Sequence, residues 1–359
     1  MNLERIAMLA ALNTVKPALA TKDLIEELAH CWFDGKTVTA YNDADLGIQV
    51  PFEAPFKGGI RGALLLGLLS NSRAKEVSIE PSDKKDGPMI LKAARARVEL
   101  AVLAPERAVW AFPAPEPGKG FQMSAAFLEG LRSVLISVGN DTSIPEKQGV
   151  TLDANGKGDL TMFTTDAKSI ARLDLSDPKL KQKFRAIIPT TFCQRVLRLC
   201  AEGDVLELRK DCVIASNADG VLLYARLVAV EQPCNFFEIF DRELPDGMSD
   251  IEGLFEIPGR LALALERAIV LTDGASEGQV RLFSDAGKLK IEASAPGRGE
   301  LNDDSVPIPP DIPDFDCFID PDLLKRAIPL CTHMAFNKSL FMDDGAGFSY
   351  LAAYKSGAR

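Results

Sequence analysis

The chain repeats one unit along its length: a short amphipathic helix followed by several alternating strands. Six stretches carry apolar residues at i, i+3, i+4 and i+7, the stripe that a helix needs to pack on a sheet. Helices start about every 45 to 70 residues. Tight turns join the strands directly, which disfavours parallel α/β units. The predicted helices cover residues 3–15, 57–69, 123–137, 189–200, 258–271 and 321–331.

This repeat predicts an α+β fold with antiparallel sheets and helices on one face. The clearest hairpin is 279–294, whose alternating arms flank Asp285-Ala286-Gly287. Pro and Gly punctuate the chain at two further places, which we interpret as domain joints: 111–120 and 241–250. Each domain then holds two helix-plus-antiparallel-sheet halves. The predicted domains are 1–119, 120–246 and 247–359.

Bulk composition is that of a folded protein without a membrane span. Of the 359 residues, 47% are hydrophobic and 26% are charged. The longest apolar runs, such as 62–69, are too short to cross a bilayer. The N-terminal residues lack the basic start and long apolar core of a signal peptide. We therefore expect a cytoplasmic protein that makes no membrane contact.

Neither the cysteines nor the histidines form a metal-binding pattern. The seven cysteines are odd in number, widely spread and contain no CxxC pair. Most lie inside apolar patterns, where a buried thiol behaves as a small hydrophobic group. His30 and His333 are the only histidines, and neither has a partner at ligand spacing. We expect no metal site and no cofactor.

The sequence gives little sign of catalytic chemistry. It contains no GxxxxGK[ST], GxGxxG or HExxH. Residues 153–159 faintly resemble a calcium loop, but Lys157 occupies a ligand position and Thr164 stands where a bidentate Glu is required. This stretch is more simply interpreted as a β-turn. We predict no catalytic residue. The alternative hypothesis is an enzyme that uses a loop acid such as Asp166.

Positive charge is concentrated in the helical stretches of an acidic chain. The net charge is −10, yet the six stretches contain ten Lys or Arg against four Asp or Glu. If the helices share one side of the sheets, that side is basic and suits the phosphate backbone of DNA, without sequence readout. The alternative is that these bases are ordinary solvated helix faces. The candidate DNA-facing residues in these stretches are Arg5, Lys57, Arg61, Arg132, Arg195, Arg198, Arg260, Arg267 and Lys325.

Three stretches together resemble one protein family. FTTDAKSIARLDL is similar to the family's "ATDGHRLA" segment, and AIIPTTFCQRVLRL to its "VIVPRK" strand-to-helix entry. ALERAIVLTDGASEGQVRLFSDAGKLKIEA is similar to the start of its third domain. Their order and spacing follow the family over nearly the whole length. The chain resembles the bacterial DNA polymerase III β subunit, the replicative sliding clamp, in a divergent form of the kind that a phage could encode.

The resemblance implies a function in DNA replication. Two subunits would close head to tail into a homodimeric ring of six domains around duplex DNA, as a processivity factor without enzymatic activity. DNA polymerase and the clamp loader would dock through short linear motifs, in the cytoplasm of a bacterium or of an infected bacterial host. Lys22 matches a basic loop residue near DNA in the family. The alternative is an adaptor of the same fold that does not encircle DNA.

The resemblance also implies a peptide pocket and a dimer interface. The pocket residues, carried over by position, are Thr165, Lys168, Ser169, Ile170, Pro233, Phe237, Leu351 and Ala353. The interface residues are Val98 and Leu100 on an edge strand of the first domain, and Val270 and Leu271 at the end of a third-domain helix. Lys168-Ser169 replaces the family's His-Arg pair, Pro145-Glu146 replaces its paired tyrosines, and the tail is AAYKSGAR. The preferred partner motif therefore stays open.

Overall fold

The computed structural model describes most of the chain, in two units. The described residues are 2–21, 24–42, 46–81, 88–108, 110–139, 144–177, 180–230, 251–272, 280–295 and 297–357. Unit 1 comprises Met1–Leu128 and Ile188–Leu227, and unit 2 comprises Glu129–Ile187 and Val228–Arg359.

Within the described ranges, the α-helices are short and each follows a strand. They are α1 (Arg5–Val15), α2 (Gly62–Ser70), α3 (Ala125–Val134), α4 (Thr190–Leu199), α5 (Leu261–Thr272) and α6 (Pro321–Ala327). Helix α6 starts as its sequence predicts, because the Asp320 side chain caps it by accepting a hydrogen bond from the Asp322 amide. None of the helices in the described residues is long and apolar enough to cross a membrane.

The predicted start of the second helix is wrong. Residues 58–61 form a strand instead, and the helix begins only at Gly62. Gly58 has φ +135°, and a Cβ there would lie 2.6 Å from the Leu103 carbonyl oxygen. A Cβ on Gly59 would touch the Trp32 indole at 3.0 Å. The two glycines therefore serve close packing in a strand, which the helical spacing of the following leucines concealed.

Unit 1 contains two antiparallel sheets. The smaller has the order β1-β6-β7-β8, with strands β1 (Asn2–Glu4), β6 (Glu76–Pro81), β7 (Met89–Ala93) and β8 (Ala96–Leu100). The larger has the order β5-β2-β3-β4-β16-β15-β14-β9, with strands β2 (His30–Phe33), β3 (Thr37–Tyr41), β4 (Gly47–Pro51), β5 (Gly58–Arg61), β9 (Phe121–Gln122), β14 (Val205–Leu208), β15 (Cys212–Ser216) and β16 (Leu222–Arg226).

Unit 2 repeats this arrangement, and the start of α3 and the end of β13 run past its boundary. Its eight-stranded sheet has the order β13-β10-β11-β12-β24-β23-β22-β17, with strands β10 (Gly149–Asn155), β11 (Asp159–Thr165), β12 (Ser169–Ser176), β13 (Lys183–Pro189), β17 (Phe255–Glu256), β22 (His333–Phe336), β23 (Leu340–Asp343) and β24 (Phe348–Ala352). Its five-stranded sheet has the order β20-β19-β18-β21-β25, with strands β18 (Val280–Asp285), β19 (Lys288–Ala295), β20 (Gly299–Pro307), β21 (Asp316–Ile319) and β25 (Lys355–Ser356).

The α+β class, with antiparallel sheets and short helices, is confirmed. The 279–294 hairpin forms as predicted, with Ala286 and Gly287 both at positive φ in its turn. Residues 153–159 comprise the end of β10, a turn at 156–158 and the start of β11, and the Asn155 side chain accepts hydrogen bonds from the Lys157 and Asp159 amides. Each eight-stranded sheet draws strands from both sides of a predicted joint. The division into three domains stays a prediction.

Candidate functional site

A row of side chains crosses four neighbouring strands of the unit 2 sheet. Thr165 on β11 pairs with Ile170 on β12, Ile170 pairs with Leu351 on β24, and Leu351 pairs with Phe341 on β23. Leu351 and Phe341 form a small buried cluster with the partly buried Ile170 packed against it. Cross-strand neighbours lie about 5 Å apart, so these residues form one continuous surface. We call these four residues the unit 2 row.

The turn between β11 and β12 is built around one carboxylate. Asp166 Oδ1 accepts hydrogen bonds from the Lys168 amide at 2.9 Å, the Ser169 amide at 2.7 Å and the Ser169 hydroxyl at 3.0 Å. Its Oδ2 faces the Arg326 guanidinium at 3.4 Å. The carboxylate is committed to holding the turn, so the geometry gives no support to Asp166 as a catalytic acid.

Ala167 at the tip of this turn has φ +72°. An L-residue in the left-handed region costs about 1–2 kcal/mol, which glycine avoids. The turn retains its conformation because Thr165 Oγ1 accepts from the Ala167 amide at 3.0 Å and donates to the Ser169 carbonyl at 2.9 Å. The chain therefore has a strained, hydrogen-bonded turn beside Ile170.

Ser169 is buried beneath the turn and joins it to the core. Its hydroxyl lies 3.0 Å from the Ser137 hydroxyl. Tyr350 is fully buried nearby and donates to the Leu323 carbonyl at 3.1 Å. Burial raises the pKa of Tyr350 to about 12, so its phenol stays protonated at neutral pH. Ser169 thus serves the packing of the turn and does not face solvent.

Lys168 is exposed at the edge of this surface. Its ammonium lies 3.4 Å from the Asp320 carboxylate, the same group that caps α6. Its carbonyl accepts from the Ala353 amide at 2.8 Å, which continues the pairing of β12 and β24 beyond the strand ends. An exposed pair of this kind is worth less than about 1 kcal/mol, so the lysine can turn toward a ligand at little cost.

The structure brings six of the eight predicted pocket residues together. Pro233 and Phe237 lie outside the described residues. Three further residues were not predicted from the sequence: Phe341, Ile251 and Leu254, which pack with Ile170 and Leu351. The alternation of Leu340–Asp343 marks Phe341 as a strand residue, but its register against Leu351 is a tertiary feature. The set describes an apolar surface with an adjacent ammonium group.

Helix α4 carries two arginines one turn apart. Arg195 is half-buried and Arg198 is exposed. Burial, with repulsion from Arg198, lowers the pKa of Arg195. Neither guanidinium has an ion-pair partner among the described residues. Two neighbouring cations without a carboxylate form a site that an external anion such as a phosphate would stabilise.

The remaining basic candidates fall into two groups. Among the described residues, the exposed Lys57, Arg260 and Lys325 also have no ion-pair partner. Four others are engaged within the protein. Arg5 donates to the Leu69 and Ala74 carbonyls, Arg132 pairs with Glu129 and Arg267 pairs with Asp303. Arg61 also has a partner.

The structure also corrects which basic candidates are helical. Lys57 precedes β5, Arg61 ends it, and Arg260 precedes α5. Lys22 lies outside the described residues. The uniformly basic helical face expected from the sequence is therefore reduced to α4 and a few separate lysines and arginines.

The edge of the four-stranded sheet borders an apolar groove. Strand β8 is one of the sheet's two edges, and a groove of about 640 Å³ runs between it and α2, with Leu64, Leu91 and Val98 in its lining. Arg73 and Arg95 also line it. Leu100 is fully buried inside unit 1, so it supports the edge strand from within. Val98 is half-exposed and is the apolar candidate that faces this groove.

Unit 2 offers an acidic edge and exposed apolar side chains. Strand β20 is the edge of the five-stranded sheet and carries Glu300 and Asp304, both exposed. Helix α5, which packs on β19 and β20, exposes Val270 by 74% and Leu263 by 60%. Leu271 is half-buried. The arginines that line the groove beside β8 and the carboxylates on β20 are opposite in charge.

No metal-binding cluster of three or more His, Cys, Asp or Glu occurs within the described ranges. The Asp343 carboxylate is buried, and in the part of the chain that the structure describes only one of its two oxygens has a partner. Its Oδ1 accepts from the Gly345 amide at 2.7 Å and lies 3.7 Å from His333 Nδ1, whereas its buried Oδ2 has no partner among the described residues. Burial raises the pKa of Asp343. We assign it no ligand.

Solved structures share this fold. The β subunit of the Streptococcus pyogenes DNA polymerase superposes with a TM-score of 0.83 at 15% identity, over 99% of both chains. The Bacillus subtilis DNA polymerase sliding clamp gives 0.83 at 14% identity, again over 99% of both. The chain has the fold of a DNA polymerase sliding clamp. The resemblance drawn from the three sequence stretches is thereby confirmed for the fold.

A third clamp structure carries a bound peptide. The Helicobacter pylori β clamp bound to a DNA ligase peptide gives a TM-score of 0.81 at 14% identity, over 99% of this chain and 100% of that one. No protein-family model matches the chain, and no curated protein sequence matches it. The clamp fold is therefore present here at about 14–15% identity to the solved clamps, where no family model and no curated sequence matches.

Proposed function

We propose that this protein is a DNA sliding clamp that encircles duplex DNA as a head-to-tail homodimer. The observation that carries the proposal is the match to sliding-clamp folds over 99% of the chain in both directions. A topological tether requires no catalytic group. Its proposed role is to hold a DNA polymerase on its template without enzymatic chemistry of its own.

Ring closure rests on the two unlike edges. We infer that β8 of one copy pairs with β20 of another, and that Val270 on α5 enters the groove lined by Leu64 and Val98. Unpaired edge strands favour such augmentation. Because the two surfaces differ, the contact is heterologous, and each copy has one of each. Two copies that use both contacts close a ring, with Leu271 beside Val270 at the interface.

Contact with DNA rests on cations that the fold leaves unneutralised. We place Arg195 and Arg198 against the phosphate backbone, with Lys57, Arg260 and Lys325 as further contacts, and Lys22 as proposed from the family resemblance. The basic side chains that also make internal contacts add to the positive electrostatic potential that attracts DNA. They are Arg5, Arg61, Arg132 and Arg267. Backbone-only attraction is independent of sequence, as sliding requires.

Partner docking rests on the unit 2 row. We propose that a short linear motif places an apolar side chain against Ile170, Leu351 and Phe341, with Thr165 and Ala353 at the margin and Ser169 supporting the turn from below. Pro233 and Phe237 complete the proposed pocket. Lys168 can turn from Asp320 toward an acidic group of the motif. DNA polymerase and the clamp loader are the proposed partners.

The solution mass tests ring formation. Light scattering over a dilution series should give a persistent species of twice the 38.9 kDa chain mass. The alternative, a clamp-fold adaptor that does not encircle DNA, requires no such species. A monomer at every concentration would overturn the closed ring and leave the adaptor.

A further inference from the structure

Residues 110–117, which follow the four-stranded sheet in sequence, lie against the eight-stranded sheet of unit 1. Trp110 packs on Tyr41 with ring centroids 5.3 Å apart and meets Trp32 edge-on at 5.9 Å. Phe112 contacts Tyr41 at 6.1 Å and Tyr224 at 5.6 Å. Aromatic pairs at such distances contribute about 0.5–1.5 kcal/mol each beyond the area they bury. The segment is therefore seated on the sheet by two aromatic anchors.

Polar groups on β14 and just beyond it hold the main chain of this segment. Arg209 Nη2 donates to the Ala114 carbonyl at 2.6 Å, and the Glu116 amide donates to Glu207 Oε2 at 2.8 Å. Glu207 is only 2% exposed, and its Oε1 accepts from Arg209 Nε at 2.6 Å. A charged donor and a charged acceptor thus each hold one backbone atom of the segment, and charge-assisted hydrogen bonds are the stronger ones. Residues 110–117 are held as a ligand would be.

This position corresponds to the unit 2 row. The two eight-stranded sheets have equivalent strand orders, with β3, β4, β16 and β15 in the places of β11, β12, β24 and β23. In unit 1, Tyr41 pairs with Gly47, Gly47 with Tyr224, and Tyr224 with Ile214. The same register in unit 2 joins the row's Thr165, Ile170, Leu351 and Phe341.

Gly47 makes the space that the segment fills. It occupies the place of Ile170, and a Cβ on Gly47 would lie 2.3 Å from Phe112 Cε1. Its φ is not in the left-handed region, so backbone conformation does not require glycine here. The missing side chain instead admits the Phe112 ring between Tyr41 and Tyr224.

We propose that unit 1 contains a second peptide-binding site whose resident ligand is the chain's own residues 110–117. The site accepts an aromatic, proline-bearing extended peptide, and its self-occupation leaves the unit 2 row as the open one of these two equivalent positions. The assignment of that surface rests on the proposed function, whereas the contacts of residues 110–117 do not.

A peptide added in trans tests the second site. The probe is a labelled peptide with the sequence of residues 110–119, and the receptor is the full chain carrying Trp110→Ala and Phe112→Ala. Fluorescence polarisation should show saturable binding to this variant and at least about tenfold weaker binding to the parent chain, because the tethered segment competes at millimolar effective concentration. A probe with Ala at the Phe112 position should lose at least about tenfold in affinity for the variant. The proposal would be overturned if the double variant bound both probes equally well, or if it bound neither probe.

A second variant covers the case in which the double variant does not fold. Gly47→Val fills the space of Phe112 and should release the segment. Trp32 is buried, so iodide quenching of the two tryptophans reports on Trp110, and quenching should rise in this variant. Unchanged quenching in a folded Gly47→Val chain would contradict internal occupation.

Ile170→Asp separates this inference from the proposed function. It alters only the unit 2 row, so it should leave binding of the 110–119 peptide by the double variant unchanged. If the trans peptide does not bind while the protein is retained on DNA, the second site fails and the clamp stands. Binding of the peptide without DNA retention would support the second site and overturn the clamp.

Discussion

At the scale of single residues, the arginines of α4 are the clearest candidates for DNA contact. Arg195→Glu with Arg198→Glu should weaken DNA binding and reduce the salt dependence of log K by about two counterions, since each phosphate contact contributes about one. A salt titration of binding to duplex DNA measures this slope.

The matched control for that charge reversal is Lys210→Glu. Lys210 is an exposed base of the same unit, in the turn between β14 and β15. Its reversal should change the slope little. Equal slopes for the double variant and the parent protein would remove α4 from the DNA-facing surface.

Ala167 is a residue whose replacement should stabilise the protein. Glycine relieves the strain of φ +72°, and part of that gain is offset by the entropy of glycine in the unfolded chain. We expect Ala167→Gly to raise the free energy of unfolding by up to about 1 kcal/mol, measured by urea denaturation. Ala104 has φ −61°, so Ala104→Gly relieves no strain and should be neutral or destabilising. A loss of stability in Ala167→Gly would contradict the strained turn.

Ile170 tests the unit 2 row. Ile170→Asp places a carboxylate on the apolar surface beside Leu351 and should weaken binding of a polymerase-derived motif peptide, the partner class proposed above, by at least about tenfold. Fluorescence polarisation measures the change. Leu175→Asp makes the same substitution on β12 at a residue that pairs with Leu160, away from the row. Comparable loss in both variants would show a general effect on folding and would sink the docking assignment.

At the scale of elements, unpaired strands and one helix face are the proposed basis of assembly. Val270→Asp sets a charge on the most exposed apolar side chain of α5 and should shift the dimer toward monomer by at least about tenfold in dissociation constant, because the proposed groove is apolar. Sedimentation velocity measures that shift. Ile6→Asp is its control, on a 62% exposed residue of α1 outside the proposed contact. Unchanged dimerisation of Val270→Asp would contradict the α5 contact.

Leu100 is unsuitable for this test, since a buried Asp there would unfold the sheet.

Elements also show which sequence signals were reliable. The hairpin turn at Ala286-Gly287 was predictable because local backbone chemistry decides it. The start of α2 was not, because Gly58 and Gly59 are required by contacts with Leu103 and Trp32 that lie far away in sequence. The same distinction applies to the candidate site. Its turn residues have a local pattern, whereas Phe341 and Ile251 join it only through tertiary packing.

At the scale of the whole molecule, the repeat of helix and strands was sufficient to predict the α+β class, whereas the clamp resemblance depended on three short stretches of sequence. It did not reveal that each eight-stranded sheet combines strands from both sides of a predicted joint, because strand pairing across such a distance has no local signal. The helical charge count likewise missed the internal partners of Arg5, Arg132 and Arg267. Composition reports how many charges exist, and only the fold reports which of them remain available.

The measurement that tests the central claim most directly is retention on DNA with blocked ends. The protein is threaded onto linear duplex DNA fixed to a bead at one end, and the free end is then capped with a bulky protein. We predict that the protein survives a wash in high salt, which screens electrostatic binding, and leaves when a restriction enzyme removes the cap. Loss of the protein in high salt, whether or not the end is capped, would contradict encirclement.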